Sequence, residues 1–156
     1  MLGKLEPAQI EHVLQTEVVG RIGCHADGRT YVVPVTYAYR DGAVYGHTGK
    51  GLKVEMMRQN PHVCFEVDHM VDMTNWQSVI AWGDFEELHG QEAERAMVYL
   101  MERMAPLATS ETAFAHGDAA HALSAEALVY RIRLADKTGR FEERGGKPKL
   151  HLAPAL

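Results

Sequence analysis

Alternation between apolar and polar positions divides most of the chain into strands. From Thr30 to Arg40, Tyr31, Val33, Val35, Tyr37 and Tyr39 alternate with Val32, Pro34, Thr36 and Ala38, which predicts one long strand. Pro34 cannot donate to a ladder, so this strand is expected at a sheet edge or to carry an interruption that leaves backbone groups free for a planar ligand. Val18 to His25, Ala43 to Thr48, His62 to Asp68, Trp76 to Leu88 and Glu126 to Leu134 read as further strands, the last continued by Lys137 to Phe141. Val63, Phe65 and Val67 share one face, and Gly83 marks a bulge or bend in the longest strand. Gly20 and Gly23 suggest a close approach of another backbone or a ligand, or simply tight packing. Asp27-Gly28 and Asp41-Gly42 are hairpin turns, so the first three strands form an antiparallel meander.

Helical spacing appears in three places. Pro7 to Leu14 opens on a proline suited to a first helical turn and puts Ile10, Val13 and Leu14 on one face. Leu52 to Gln59 is expected to turn Leu52, Met56 and Met57 inward and to stop at Asn60-Pro61. Glu92 to Met104 is amphipathic, with Ala93, Ala96, Met97, Leu100, Met101 and Met104 along one stripe. Met70 to Asn75 is expected to be a loop. Ala105 to Ala125 is weakly patterned and reads as a mobile loop with a helical turn near Ala119 to Leu123; the tail 142–156, with Gly145-Gly146-Lys147-Pro148, reads as loosely held. Six strands joined mainly by hairpins, with helices at the crossings, favour a small antiparallel barrel over a doubly wound fold.

Composition narrows the function. The 156 residues suit one domain spanning 1–156, its first 16 residues carrying the N-terminal helix. A formal charge of -5 argues against a general nucleic-acid surface. No apolar run reaches membrane length, and Met1 to Pro7 has no apolar leader region, so a cytoplasmic protein away from membranes is expected. Cys24 and Cys64 lie in apolar strand-like runs and read as buried small hydrophobes. The nine histidines are scattered: no H-E-x-x-H or C-x-x-C occurs, His116 and His121 are off the spacing of one helical face, and no metal site is expected. Ser78 and Ser124 lack a nucleophile-elbow setting, and Glu66, Asp68, Asp72 and Glu86 form no recognisable acid–base pair.

The most suggestive chemistry lies between Tyr45 and Arg58, where a strand gives way to a glycine-rich turn and a helix. The first N–H groups of a helix lack internal partners and carry partial positive charge, so such a junction can hold an anion. Gly49 and Gly51 would let a ligand approach the backbone, and His47, Lys50 and Lys53 would add donors. An ordinary turn with solvated lysines is the alternative.

Several segments taken in order resemble the pyridoxamine 5′-phosphate oxidase-like FMN-binding split-barrel proteins, closest to their nitroimidazole-resistance branch. They are Gly20 to Gly23, Tyr31 to Tyr37, Asp41 to Thr48, Gly51-Leu52-Lys53, Asn60 to Asp68, Trp76 to Val79 and Gly83. The resemblance implies a mainly β, six-stranded antiparallel split barrel, dimeric, with two FMN sites at the subunit interface. By position, Val33, Pro34, Val35, Thr36 and Tyr37 would lie against the flavin ring; His47, Thr48, Gly51, Leu52 and Lys53 would hold the phosphate and ribityl. Trp76, Gln77, Ser78 and Val79 would approach from the partner subunit, and Thr138, Gly139 and Arg140 match a late-strand motif. Barrel core is the competing reading of Trp76 and Val79. The arginine-rich motifs of pyridoxamine phosphate oxidase itself are not evident, so vitamin oxidation is not expected. The function implied is an FMN-dependent oxidoreductase acting on a small, nitroaromatic-like acceptor. Alternatives are a non-catalytic FMN carrier or sensor, and a split barrel binding haem or deazaflavin.

Overall fold

The computed structural model describes residues 1–107 and 127–144. His116, His121, His151, Ser124, nearly all of the proposed loop and the Gly145-Gly146-Lys147-Pro148 tail lie outside the described residues. Alternation dominates the result. The elements run β1 (Leu2–Lys4), α1 (Pro7–Thr16), β2 (Val19–Ala26), β3 (Arg29–Thr36), β4 (Ala38–Arg40), β5 (Ala43–Gly49), α2 (Leu52–Gln59), β6 (His62–Asp72), β7 (Asn75–Leu88), α3 (Gly90–Met104), a single 3-10 turn at Ala105–Leu107, and β8 (Ala127–Glu142).

All strand pairs are antiparallel, in one eight-stranded sheet of order β3-β2-β6-β7-β8-β5-β4, with β1 against β8. The sheet is a split barrel, its two edges left unpaired to each other. Both Asp-Gly turns hold two successive residues at positive φ (Asp27 50°, Gly28 72°; Asp41 51°, Gly42 76°), the twist that tight hairpins require.

Several expectations are corrected. The long strand 30–40 is two strands, because Tyr37 and Ala38 are both buried and break the alternation. Tyr37 donates its hydroxyl to the Leu14 carbonyl at 2.9 Å and meets Phe65 edge-on at 5.0 Å. The chain there crosses from one edge of the sheet to the other, which leaves β3 as the edge strand that Pro34 foretold. The loop after Met70 is a tight hairpin. Asp72 accepts the Thr74 N–H at 2.7 Å and its hydroxyl at 2.9 Å, and β7 resumes at Asn75. Six strands thus become eight, with the short β1 added. In the helices, Val54 joins Met56 and Met57 in the core while Leu52 stays exposed, and Met101 is half exposed on α3.

The core fills the inner face of the sheet. Ile22, Phe65, Val67, Val79, Tyr130 and Ile132 are among its most buried sheet residues, joined by Val13 and Leu14 of α1 and by Val54 and Met57 of α2. Side chains of this size are each worth about 1.5–3 kcal/mol when fully buried. Gly20 is required by packing, since a Cβ there would lie 2.3 Å from the Phe65 ring. Gly83 sits at the anticipated irregularity: Trp82 pairs with Asp136 and Gly83 with Leu134, leaving Ala135 as the extra residue. Against β5 and β8, α3 builds a smaller cluster from Ala96, Leu88 and Val129, with Tyr45 edge-on to Tyr99 at 5.3 Å. Among the described residues no helix is long and apolar enough to cross a membrane.

Candidate functional site

The turn between β5 and α2 is built as an open cradle. Gly51 caps α2 with extended backbone, and no side chain caps the helix, whereas α1 carries a reciprocal capping box between Glu6 and Gln9. The N–H groups of Leu52 and Lys53 are thus left without a backbone acceptor among the described residues, whereas those of Val54 and Glu55 donate to the Gly51 carbonyl. Neither Gly49 nor Gly51 has positive φ, and a Cβ on either would meet nothing within 4 Å. Backbone strain and packing within the chain thus do not demand glycine at these positions. What glycine supplies there is unobstructed access to the backbone.

Lys53 reaches back into this cradle from the first turn of α2. Its ammonium donates to the Thr48 hydroxyl at 2.6 Å, and that hydroxyl donates to the Gly49 carbonyl at 3.1 Å. Among the described residues Lys53 forms no ion pair with a carboxylate. Burial pushes the ammonium below its ordinary pKa, opposed by the nearby Cys24. A half-buried cation held by a neutral hydroxyl beside unpaired N–H groups is a standing invitation to an anion. His47 does not join it. It pairs with Val129 on the face where Tyr45 meets α3, while Thr48 pairs with Leu128 on the opposite face.

The other anticipated residues fall into two sets. Cross-strand register places Pro34, Arg21, Glu66, Ile80 and Thr138 in one row across the outward face of the sheet, with Val32, Gly23, Cys64, Trp82 and Asp136 in the next. On the same face Thr36 pairs with Val19, Ser78 lies between Asp68 and Arg140, and Trp76 lies between Met70 and Glu142. The indole of Trp76 donates to Glu142 at 3.2 Å, and Arg21 clamps Glu66 and Asp68 at 3.0 and 2.7 Å. Pro34, Thr36, Trp76, Ser78, Thr138 and Arg140 are thus brought to one surface.

Inward-facing residues form the second set. Tyr37 and Val79 are fully buried, and burial pushes the Tyr37 hydroxyl well above its ordinary pKa. Gly139 lies beneath α1, where a Cβ would come within 2.7 Å of Leu5 and 2.9 Å of Ile10. Val33 and Val35 are half-buried against the core, and Gln77 faces inward opposite His69. Tyr37, Val79 and Gly139 are thus packed in the core, whereas Trp76 is outward and partly buried.

Sequence reasoning missed two cavities. One, of about 640 Å³, lies on the outward face between Val32, Cys64, Trp82 and the His62–Asp84 pair. Its signal was the apolar content at outward positions of β7, where Ile80 and Trp82 remain exposed. The other, also about 640 Å³, lies beside Lys50 under α3. Cys24 and Cys64 sit on adjacent strands but opposite faces, and both are free thiols. Among the described residues no three His, Cys, Asp or Glu side chains converge on a metal position.

Comparison with known proteins gives a consistent picture. A family model described as pyridoxamine 5′-phosphate oxidase matches residues 6–141. A solved FAD-binding protein from Mesorhizobium loti is 30% identical, with 92% of this chain and 99% of that chain covered and a TM-score of 0.75. A candidate 5-nitroimidazole antibiotic resistance protein from Bacteroides thetaiotaomicron shares the fold at 20% identity, covering 90% and 87% of the two chains with a TM-score of 0.69. The uncharacterized protein RA0666 of Rhizobium meliloti (strain 1021) is 33% identical over 70 residues, a stretch spanning 45% of this chain and 46% of that protein.

Proposed function

The chain belongs to the pyridoxamine 5′-phosphate oxidase family, and from that membership we propose that it is a flavoprotein: an FMN-dependent reductase of a small, nitroaromatic-like acceptor, working as a cytoplasmic homodimer. The observation that carries this reading is the Lys53–Thr48 pair in front of an uncapped α2. The residues present fit a phosphate dianion: a cation without a carboxylate partner among the described residues, open space at Gly49 and Gly51, and free helix N–H groups. The FAD-binding name of the 30% identical Mesorhizobium loti protein supports a flavin on this chain as well.

Each element has a part in that reading. Lys53 and the α2 amides bind the phosphate and fix one end of the cofactor. The free edge of β3, from Val33 to Thr36, offers unpaired backbone groups to the polar rim of the ring system. When bound, the flavin supplies the electron transfer, and the protein orients it and shields it from water. The outward face supports the dimer. Val32, Ile80 and Trp82 stay exposed there in neighbouring rows, and an exposed apolar patch of this kind marks an association site. Trp76, Ser78 and Arg140 of a second copy would then stand over the cofactor of the first.

The test is the absorbance spectrum of the freshly purified protein, followed by denaturation and mass analysis of the released chromophore. A two-banded oxidised flavin spectrum with FMN released supports the reading, and turnover of a nitroaromatic with a reduced nicotinamide completes it. A colourless protein that takes up neither FMN nor FAD overturns it.

A further inference from the structure

Register leaves a trench on the outward face of the sheet, at the end away from Trp76 and Ser78. One cross-strand row reads Val32, Gly23, Cys64 and Trp82, from β3 to β7. Its outer members are large and exposed, and its inner members are a glycine and a small thiol. Val32 and Trp82 therefore stand as walls on strands about 14 Å apart, over a low floor. Packing within the chain does not require Gly23, since a Cβ there would touch only Cys64, at an ordinary 3.6 Å. What glycine supplies is depth. Burial, and then the Glu66 carboxylate, push the Cys64 thiol above its ordinary pKa, so the floor stays neutral and behaves as a small hydrophobe. The cavity holds about 640 Å³, within the range of small-molecule sites.

Both ends of the trench are polar. On one side the neighbouring row closes it, where Arg21 holds Glu66 at 3.0 Å. On the other side lie Thr30, His25, His62 and Asp84. The β2–β6 ladder ends at Gly23 and Cys64, and Asn60 extends it: its amide donates to the His25 carbonyl at 2.9 Å, and its side-chain oxygen accepts the His62 N–H at 3.2 Å. Each imidazole is also held through Nδ1, His25 by the Thr30 hydroxyl at 2.9 Å and His62 by the Asp84 carboxylate at 2.5 Å. A carboxylate only accepts, so Nδ1 of His62 carries the proton, and the neutral ring keeps a lone pair on Nε2. The carboxylates of Asp84 and Asp136, the latter across from Trp82, disfavour an anion here. Arg133, the cation across from Asp84, is paired with Glu86.

We propose that this trench binds a neutral planar aromatic molecule carrying a hydroxyl or ring N–H donor. The ring lies on the Gly23–Cys64 floor against the Trp82 indole, and the donor bonds Nε2 of His62. The inference does not depend on the flavin reading, because neither the Lys53 cradle nor Trp76 and Ser78 take part. It shares the Val32 and Trp82 rims with the apolar patch of the proposed dimer, and the ligand takes the floor between them.

The test titrates 2-naphthol, 2-methoxynaphthalene and 2-naphthoate by calorimetry into the full-length protein saturated with FMN, which keeps the rings out of a flavin site. Amide and indole chemical shifts are recorded alongside, for wild type, Gly23→Val and His62→Phe. A Cβ at Gly23 meets only an ordinary contact and His62 is exposed, so both variants keep the wild-type circular dichroism and Tm. In wild type, 2-naphthol should shift the Gly23 and Cys64 amides and the Trp82 indole. It should bind about three- to tenfold tighter than the methyl ether, the worth of one neutral hydrogen bond, with the naphthoate weakest. Gly23→Val should weaken 2-naphthol at least tenfold, and His62→Phe should erase the difference between naphthol and ether. Equal affinities for naphthol and ether in wild type, a preference that survives His62→Phe, shifts confined to other surfaces, or no saturable binding overturns the inference. Should Gly23→Val fail to fold, the wild-type shifts and the His62→Phe comparison decide. A protein that binds 2-naphthol here but takes up no FMN keeps this inference and loses the flavin reading.

Discussion

Lys53→Met is the sharpest probe of the cradle. The substitution keeps an unbranched side chain of similar length and deletes its charge. In the flavin-free protein the ammonium is half-buried, bonded to a neutral hydroxyl, and shifted below its ordinary pKa by burial. Its folded-state pKa thus lies below its unfolded value. Between the two the unfolded chain binds more protons, so Lys53 makes stability rise with pH through that window and penalises the fold below it. Removing the charge costs the apoprotein nothing at neutral pH and relieves an unfavourable position near a helix N-terminus, so its Tm stays level or rises. Binding behaves oppositely. A charge-assisted hydrogen bond to phosphate is worth about 1.5–3 kcal/mol, roughly 10- to 150-fold in Kd. The assay is quenching of flavin fluorescence at fixed ionic strength, with apoprotein thermal melts alongside. FMN affinity within twofold of wild type, or an apoprotein Tm lowered by several degrees, would refute the cradle, because the first means no phosphate meets Lys53 and the second makes it a structural residue.

Gly83→Ala is expected to destabilise the fold by about 2 kcal/mol or more through overpacking, read by urea unfolding, because the new Cβ would lie 2.1 Å from the Arg133 carbonyl oxygen. Tyr37→Phe removes the donor to the Leu14 carbonyl and should cost about 1–3 kcal/mol in the same assay, with α1 the first element to lose amide-exchange protection. Alkaline pH should destabilise wild type: burial holds Tyr37 and Tyr130 protonated in the fold, the unfolded chain loses both protons above about pH 10, and stability then falls by about 2.7 kcal/mol per pH unit. A flat urea midpoint between pH 10 and 11 would contradict this, and Tyr37→Phe should halve the slope. Trp82→Glu places a charge in the exposed apolar row and should leave a monomer in analytical ultracentrifugation; an unchanged sedimentation coefficient would move the interface elsewhere.

What the sequence disclosed and what it hid follow from locality. The Asp-Gly hairpins, the bounds of α2 and the buried faces of α1 and β6 were legible because each is fixed by neighbouring residues: positive φ at the turn, proline after the helix, period two in the strand. The break at Tyr37 was not legible, because alternation in the sequence runs straight through it. Only the packing of Tyr37 under α1, and of Ala38 beside it, turns the chain across the barrel. The hairpin at Asp72 was readable in hindsight as an Asx turn, but its polar residues looked like a loop. At the candidate site the cradle of Thr48, Gly51 and Lys53 was visible locally. The separation of His47 from it was not, since one residue along a strand reverses the face.

That reversal also governs how this molecule divides its tasks. Along β7, Val79, Ala81 and Phe85 are buried, while Trp76, Ser78, Ile80 and Trp82 face outward. Along β8, Gly139 and Phe141 are buried and Thr138 and Arg140 exposed. Packing is therefore carried by one set of alternate residues, and the proposed recognition surface by the other set of the same strands. An inward substitution at Val79 would unfold the protein without telling anything about a ligand; an outward one at Ser78 leaves the core untouched. Because β7 holds the inner and outer sets in rigid register, a second copy docking on the outer face would meet side chains already positioned by the core. Pre-organisation of this kind lowers the ordering cost of association. On the proposed dimer, the exposed Ile80 and Trp82 serve assembly while the inner row builds the core.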